Sequence, residues 1–249
     1  MSMKITLLGT GDAPGTPNIG CDCASCTDAK RGTRSNRTRF SILVQTESGN
    51  VLIDTSPDMR AQLLKADIRR IDAVVWTHGH HDHYGGFPEF YRIQQKIDVY
   101  GHEDTIRHIT GKIDFITAEK HNVAFYEPFS LIGLEFSLFK VVHFPEKNPA
   151  GVVIFDGKNK IVVSGDTDNT ISQKSLDHMK NPDLFITDAI VPDHMDVNKH
   201  MNAAQAMEIA QKIGAKKTIL THLSHFYGPH DEEVKRWPLG YDGMVFEFD

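Results

Sequence analysis

The sequence has little that would suit a membrane protein, a disulfide-rich secreted protein or a nucleic-acid-binding protein. None of its apolar runs approaches the roughly 18 residues of a membrane-spanning helix, and residues 1–8 lack the long apolar stretch of a signal peptide. Only three of the 249 residues are cysteines, too few for a disulfide framework. Acidic residues outnumber basic ones by 33 to 27, a net charge of −6, which argues against broad nucleic-acid binding. We therefore expect a cytoplasmic protein with no membrane partner.

The remaining composition is that of an ordinary globular protein, with 40% hydrophobic and 24% charged residues. Short apolar segments alternate with helical patterns, and no linker or internal repeat interrupts them. Strands are predicted over 3–8, 40–46, 51–54, 72–77, 136–142, 152–155, 161–164, 184–187, 218–221 and 245–248. Helices are predicted over 57–66, 88–95, 103–110, 171–179 and 202–213. Two strand-rich halves with helices between them favour two packed sheets with helices outside.

A histidine-rich motif follows the predicted strand 72–77. Histidine is unusually common, with 14 residues, and four ligand-type residues form the pattern H-x-H-x-D-H at His78, His80, Asp82 and His83. Alternate residues of an extended chain face the same way, so His78 and His80 can share one metal ion. A turn then directs Asp82 and His83 towards a second ion. The motif predicts a metal centre at the end of a buried strand.

The three cysteines lie within six residues, in the pattern C-x-C-x-x-C. Cys21, Cys23 and Cys26 can place three soft ligands around one point, as a structural zinc ion requires. The fourth ligand must come from elsewhere, and His225, beyond the predicted strand 218–221, is a candidate. Reduced surface cysteines without a metal are the alternative interpretation.

The histidine motif resembles the signature of the metallo-β-lactamase superfamily, and the resemblance follows that family's order along essentially the whole chain. It implies an α+β fold, the αββα four-layer sandwich, with residues 1–249 as one hydrolase domain. It also implies three further ligands, each after a predicted strand: His143, Asp166 and His222. By analogy, one ion is held by His78, His80 and His143, the other by Asp82, His83 and His222, and Asp166 bridges them. Asp54 matches a family aspartate that supports the ligands, with a simple turn residue as the alternative.

A narrower resemblance combines Gly9-Thr10-Gly11, the cysteines, the histidine motif, the segment 221–225 and the segment 241–244. This combination is similar to the phosphoribosyl 1,2-cyclic phosphate phosphodiesterase family of the carbon–phosphorus lyase pathway. It implies one structural Zn²⁺ at Cys21, Cys23, Cys26 and His225, and two Mn²⁺ or Zn²⁺ ions at the active site. It further implies hydrolysis of a small phosphodiester such as that cyclic phosphate. Asp82, as a ligand, and His200, as a proton donor near the substrate, are the candidate catalytic residues.

Three other classes are compatible with the same ligands to different degrees. A tRNA 3′-processing nuclease would need an arm to hold tRNA, and no basic or glycine-rich insertion supplies one. A thioester or lactone hydrolase is not excluded by the ligands, although the cysteines favour the phosphodiesterase family. A redox di-iron protein typically has Glu at the position of His80, so that class is disfavoured.

The basic segment 30–39 is interpreted as a solvated loop, with an arginine that binds phosphate as the alternative. A homodimer is compatible with the sequence, which does not fix the oligomeric state.

Overall fold

The computed structural model describes residues 2–249, and Met1, the first residue of the expected domain, lies outside the described residues. Within the described part, the strands form two mixed sheets. The first sheet has the order β13-β1-β2-β3-β4-β5-β6, with β1 at Met3–Gly9, β2 at Ser41–Thr46, β3 at Gly49–Ile53, β4 at Ala73–Val75, β5 at Lys96–Gly101, β6 at Thr117–Asn122 and β13 at Met244–Phe248. The second has the order β12-β11-β10-β9-β8-β7, with β7 at Pro128–Leu131, β8 at Leu134–Lys140, β9 at Ala150–Phe155, β10 at Lys160–Val163, β11 at Leu184–Asp188 and β12 at Thr218–Thr221.

Alternation along the strands explains why the two sheets pack face to face. In β3, Val51 and Ile53 join the core between the sheets, whereas Leu52 faces the outer helical layer. In β10, Ile161 and Val163 point inwards and Val162 points outwards. Because successive side chains alternate between faces and both faces are covered, these strands are continuous apolar runs rather than alternating ones.

The helices cover the outer faces of both sheets or lie in the segments that connect the strands. They are α1 (Ala24–Ala29), α2 (Met59–Lys65), α3 (His81–Tyr84), α4 (Phe90–Ile93), α5 (Glu103–Lys112), α6 (Gln173–Met179), α7 (Ala203–Lys212) and α8 (His230–Glu233), with a 3₁₀ turn at Phe87–Glu89. Helix α5 packs Ile106 and Ile109 against the first sheet, and α7 packs Ala206 and Ile209 against the second. The expected αββα sandwich is confirmed. Among residues 2–249, no helix is long and apolar enough to cross a membrane.

Most predicted elements are present, and the differences have local causes. The sequence analysis missed β5, β6 and β7, because polar residues interrupt β5, polar residues dominate β6, and β7 has only four residues. Strand β6 is an edge strand that is held by its register with β5 rather than by an apolar face. The strand predicted over 136–142 is shifted to Leu134–Lys140. The following segment leaves the sheet, since Val142 donates its amide to Thr167 Oγ1, and this departure carries His143 away from the strand.

Candidate active site

The candidate ligands lie at the carboxyl ends of neighbouring strands. Strand β3 runs parallel to β4, and β10 runs parallel to β11 and β12, so within each sheet these ends meet at one edge. Asp54 follows β3, His78 lies three residues after β4, and His222 follows β12. The sandwich thus collects polar side chains from both halves of the chain at one edge.

The first cluster contains His78, His80, His143 and Asp166, and its ligand atoms all lie within 4.8 Å of one another. His80 Nδ1 is 3.1 Å from His78 Nε2 and 3.0 Å from His143 Nε2. Asp166 Oδ2 lies 3.6 Å from His78 Nε2 and 3.8 Å from His143 Nε2. The structure therefore brings these four predicted ligands to one point.

The second cluster contains Asp82, His83, Asp166 and His222 within the same 4.8 Å limit. Asp166 Oδ2 lies 3.3 Å from His83 Nε2 and 3.4 Å from His222 Nε2. Asp82 Oδ2 lies 3.4 Å from His83 Nε2 and 3.5 Å from His222 Nε2. Asp166 belongs to both clusters, which is the arrangement that the resemblance implied.

Buried hydrogen bonds orient the imidazoles. Asp54 Oδ2 lies 2.7 Å from His83 Nδ1, and both side chains are fully buried. Asp54 also accepts hydrogen bonds from the amide and hydroxyl of Thr77. His143 Nδ1 lies 2.9 Å from the carbonyl oxygen of Lys199. Asp54 is therefore more than a turn residue, because it fixes the ring of a candidate ligand.

The backbone is forced into unusual conformations at this edge. Asp54 and His222 have φ angles of 60° and 56°, in the left-handed region that non-glycine residues seldom occupy. Gly165, just before Asp166, has a φ of 62°, and a Cβ there would lie 2.6 Å from the carbonyl oxygen of Ala150. For Asp54 and His222 these conformations cost of order 1–3 kcal/mol each, and such strained residues cluster at functional sites.

The donor set suits divalent metal ions. His83 Nε2, His222 Nδ1 and Asp188 Oδ1 are buried without a hydrogen-bonding partner. Burial lowers the pKa of His83, but the carboxylates of Asp166 and Asp82 outweigh it and hold that pKa well above its ordinary value. The edge thus gathers imidazole and carboxylate groups, which are ligands that zinc and manganese accept.

Next to the clusters, His200 is paired with a carboxylate that the sequence analysis missed. His200 Nδ1 lies 2.8 Å from Asp188 Oδ2, and Asp188 is fully buried. The His200 ring stacks on His222 with centroids 5.1 Å apart and lies 4.7 Å from the ring of His143. Asp188 shares the signal of Asp54 and Asp166, an aspartate at the end of an apolar strand, so the pattern could have identified it.

The cysteines form a separate cluster with His225. Cys21, Cys23, Cys26 and His225 place their ligand atoms within 4.8 Å of one another. The His225 Nδ1 atom lies 3.4 Å from Cys21 Sγ and 3.5 Å from Cys23 Sγ. Burial raises the pKa of Cys23, but hydrogen bonds from the Cys26 amide and the His225 ring outweigh it and lower that pKa to about 6. A thiol of low pKa supplies the thiolate that a metal ion binds.

The basic side chains of the segment 30–39 make no hydrogen bond or ion pair with the ligands of the His–Asp clusters. Lys30 pairs with Asp22, and Arg39 pairs with Asp58. Arg37 is buried and donates to Thr10 Oγ1 and to the carbonyl oxygen of Gly240. These contacts favour a structural role over the phosphate-gripping alternative.

With this geometry established, similarity to known proteins can be stated. A family model described as a beta-lactamase superfamily domain matches residues 49–223. The chain belongs to the metallo-β-lactamase superfamily. It is a metal-dependent hydrolase of this fold. The crystal structure of a new diphosphatase from the PhnP family shares 32% sequence identity with it, with a TM-score of 0.89, over 100% of this chain and 98% of that one.

Two curated relatives of this metallo-β-lactamase-fold chain have different names. The probable metallo-hydrolase YhfI of Bacillus subtilis is 25% identical over 85% of this chain and 90% of its own length. An octanoyltransferase of Porphyromonas gingivalis is 28% identical over 97% of this chain. The chain spans about half of that octanoyltransferase, 51% of its length. Similarity alone therefore leaves several substrate classes open.

The role of Asp54 can be tested by Asp54→Asn. The neutral amide removes the charged partner of His83, so we expect the affinity of the His–Asp clusters for Zn²⁺ to fall about 10–100-fold. Competition with a chromophoric chelator measures this affinity. Asp98→Asn is the matched control, because Asp98 also contacts a histidine, His121 at 2.8 Å, but on a partly exposed surface. Equal affinities in both variants and the wild type would contradict the orienting role.

Proposed function

We propose that this hydrolase is a phosphodiesterase that acts on a small phosphorylated substrate. The observation that carries the proposal is that Asp166 Oδ2 lies near the imidazoles of both clusters, because a shared carboxylate would hold two divalent ions close together. Paired ions are typical of enzymes that cleave phosphoesters. The similarity to a diphosphatase supports phosphorus as the centre of attack. A cyclic phosphodiester such as phosphoribosyl 1,2-cyclic phosphate is one candidate substrate.

The proposed ligands divide as the geometry groups them. His78, His80 and His143 would hold one ion, Asp82, His83 and His222 the other, and Asp166 both. Bound Mn²⁺ or Zn²⁺ would make water nucleophilic at neutral pH and neutralise charge on the phosphoryl oxygens. The protein's own residues keep these groups in place, since Asp54 orients His83 and the Lys199 carbonyl oxygen orients His143.

His200 is the proposed proton donor. Its Nδ1 is engaged by Asp188, which leaves Nε2 to donate a proton to the oxygen that departs when the phosphorus–oxygen bond breaks. Asp188 would stabilise the charged imidazole and fix the orientation of its ring. The rings of His143 and His222 on either side keep His200 next to the clusters.

The cysteine cluster is proposed to hold a structural Zn²⁺. Four protein ligands complete a tetrahedral shell, so no position remains for water or substrate. The site would tie α1, which begins directly after Cys23, to the segment that follows β12. That segment also carries His222.

Further properties of the chain are part of the same proposal. Residues 1–249 would act as one hydrolase domain, because the core between the sheets contains residues from both halves of the chain. Cytoplasmic localisation and a homodimer stay predictions. The tRNA 3′-processing nuclease and the thioester or lactone hydrolase are the alternatives that the first experiment compares.

Substrate preference tests the proposed reaction directly. With matched metal loading, we expect bis-p-nitrophenyl phosphate to be hydrolysed faster than p-nitrophenyl phosphate. A monoester has more negative charge and an unesterified oxygen that binds the cations unproductively. A thioester, a lactone and a precursor tRNA are assayed in parallel. Preference for the monoester, or for one of these three, would overturn the phosphodiesterase proposal.

The role of His200 is tested by His200→Ala with two leaving groups. General-acid help is typically worth about 10²–10⁴ in rate, so we expect a loss of that order for a diester that releases an alkoxide. A diester that releases p-nitrophenolate should lose much less, because that group departs without a proton. Metal content should stay unchanged. His194→Ala, at an exposed position, is the control, and equal losses for both leaving groups would rule out proton donation.

The structural zinc is tested by Cys23→Ser. Loss of one of four ligands should remove one Zn²⁺ per chain and lower the melting temperature by about 5 °C or more. The metal content of the His–Asp clusters should remain. Thr27→Ala, in the helix that begins directly after Cys23 but outside the cluster, is the control. Normal zinc content and stability in Cys23→Ser would show that the cysteines hold no structural ion.

A further inference from the structure

A cavity of about 600 Å³ opens beside His200. Three loops contribute to its wall: the one after β8 with Phe144, the one after β10 with Asp168, and the one before α7 with Val197 and Lys199. The volume lies within the range of small-molecule sites. Because His200 lines the cavity and its ring centroid lies 4.7 Å from that of His143 and 5.1 Å from that of His222, the cavity lies next to the proposed reaction centre.

One wall of the cavity is apolar and exposed. Phe144 is 72% exposed, although its neighbour His143 is 2% exposed. The His143 side chain thus lies inside the cluster, whereas the side chain of the next residue, Phe144, faces solvent. Val197, on the opposite loop, is also partly exposed at 38%. An exposed aromatic ring at the edge of a reaction centre is a suitable platform for a planar group.

Cations are few among the polar groups of the cavity. Lys199 is the single lysine or arginine among the described residues that line it, and its Nζ lies 5.8 Å from the centroid of the Phe144 ring. The carboxylate of Asp168 accepts hydrogen bonds from Thr170, and Asn169 and Asn198 contribute amides. A pocket for a second phosphate would present several cations. This cavity instead offers a ring, an aliphatic side chain and amides.

We propose that the cavity binds the nucleobase of the substrate, so that the substrate class is a nucleoside phosphodiester. The inference rests on the proposed function, because it places the phosphate at the His–Asp clusters. The base stacks on Phe144, and its polar edge faces the amides of Asn169 and Asn198. Lys199, whose Nζ lies 5.8 Å from the centroid of the Phe144 ring, attracts the anionic substrate. Phe144 is then a residue that determines specificity, with no part in the chemical step.

The experiment compares ligands with and without a base on the metal-loaded protein. Calorimetry gives the dissociation constants of adenosine 5′-monophosphate and ribose 5-phosphate for the wild type, Phe144→Ala and Phe144→Tyr. We expect the wild type to bind the nucleotide about tenfold or more tightly than the sugar phosphate. Phe144→Ala should remove this difference, and Phe144→Tyr, which keeps the ring, should retain it. Phe155→Ala removes another partly exposed phenylalanine, on β9, and should behave as the wild type.

A kinetic measurement provides a second test. Adenosine 2′,3′-cyclic phosphate is compared with the cyclic phosphate of 1,4-anhydroribitol, which lacks the base. We expect Phe144→Ala to lower about tenfold the ratio of kcat/KM for the adenosine ester to kcat/KM for the ester without a base.

The outcomes separate the two proposals. Equal binding of both calorimetric ligands by the wild type, or a base preference that survives Phe144→Ala, would overturn the nucleobase site even if phosphodiesters are hydrolysed. Absence of any phosphodiester hydrolysis, with base-dependent binding intact, would overturn the proposed function and leave the binding site standing.

Discussion

The site depends on one carboxylate oxygen that lies close to four imidazoles. Asp166 Oδ2 is 3.3 to 3.8 Å from the Nε2 atoms of His78, His83, His143 and His222. Buried ionisable groups are costly unless they are compensated, so this arrangement requires positive charge at its centre. The two sheets supply the ligands from opposite sides, and neither half of the chain could build the site alone. The packing of the two sheets is therefore what brings these charged side chains together.

Rigidity at the strand ends lets the protein keep strained conformations. Asp54 and His222 hold positive φ angles directly after strands whose neighbouring residues, Ile53 and Thr221, are buried. Packed strands restrict any relaxation that would relieve this strain. Packing of the core thus offsets the strain energy of these two residues, and their backbone conformations direct the Asp54 and His222 side chains into the site.

Much of the site could be predicted, because its ligand-type residues follow apolar runs that were identified as strands. The motif at 78–83 indicated that these residues bind metal ions. His143, Asp166 and His222 were placed by resemblance, and the structure brings them together. Strands β6 and β7 were missed, because pairing with a neighbouring strand, not their own composition, makes them strands. The contact of the Lys199 carbonyl oxygen with His143 and the cavity beside Phe144 depend on how distant loops approach each other. No local pattern encodes that approach.

The segment after β12 serves two clusters within four residues. His222 belongs to the His–Asp clusters and His225 to the cysteine cluster, while Leu223 between them is held by the backbone of Thr10. An insertion or deletion here would displace one ligand relative to the other, and no compensating change elsewhere could restore both. Over evolutionary time the length of this segment is therefore constrained, and burial restricts the side chains at Leu223 and Ser224 as well. We therefore expect the distance between the His–Asp clusters and the cysteine cluster to stay constant among proteins that keep both.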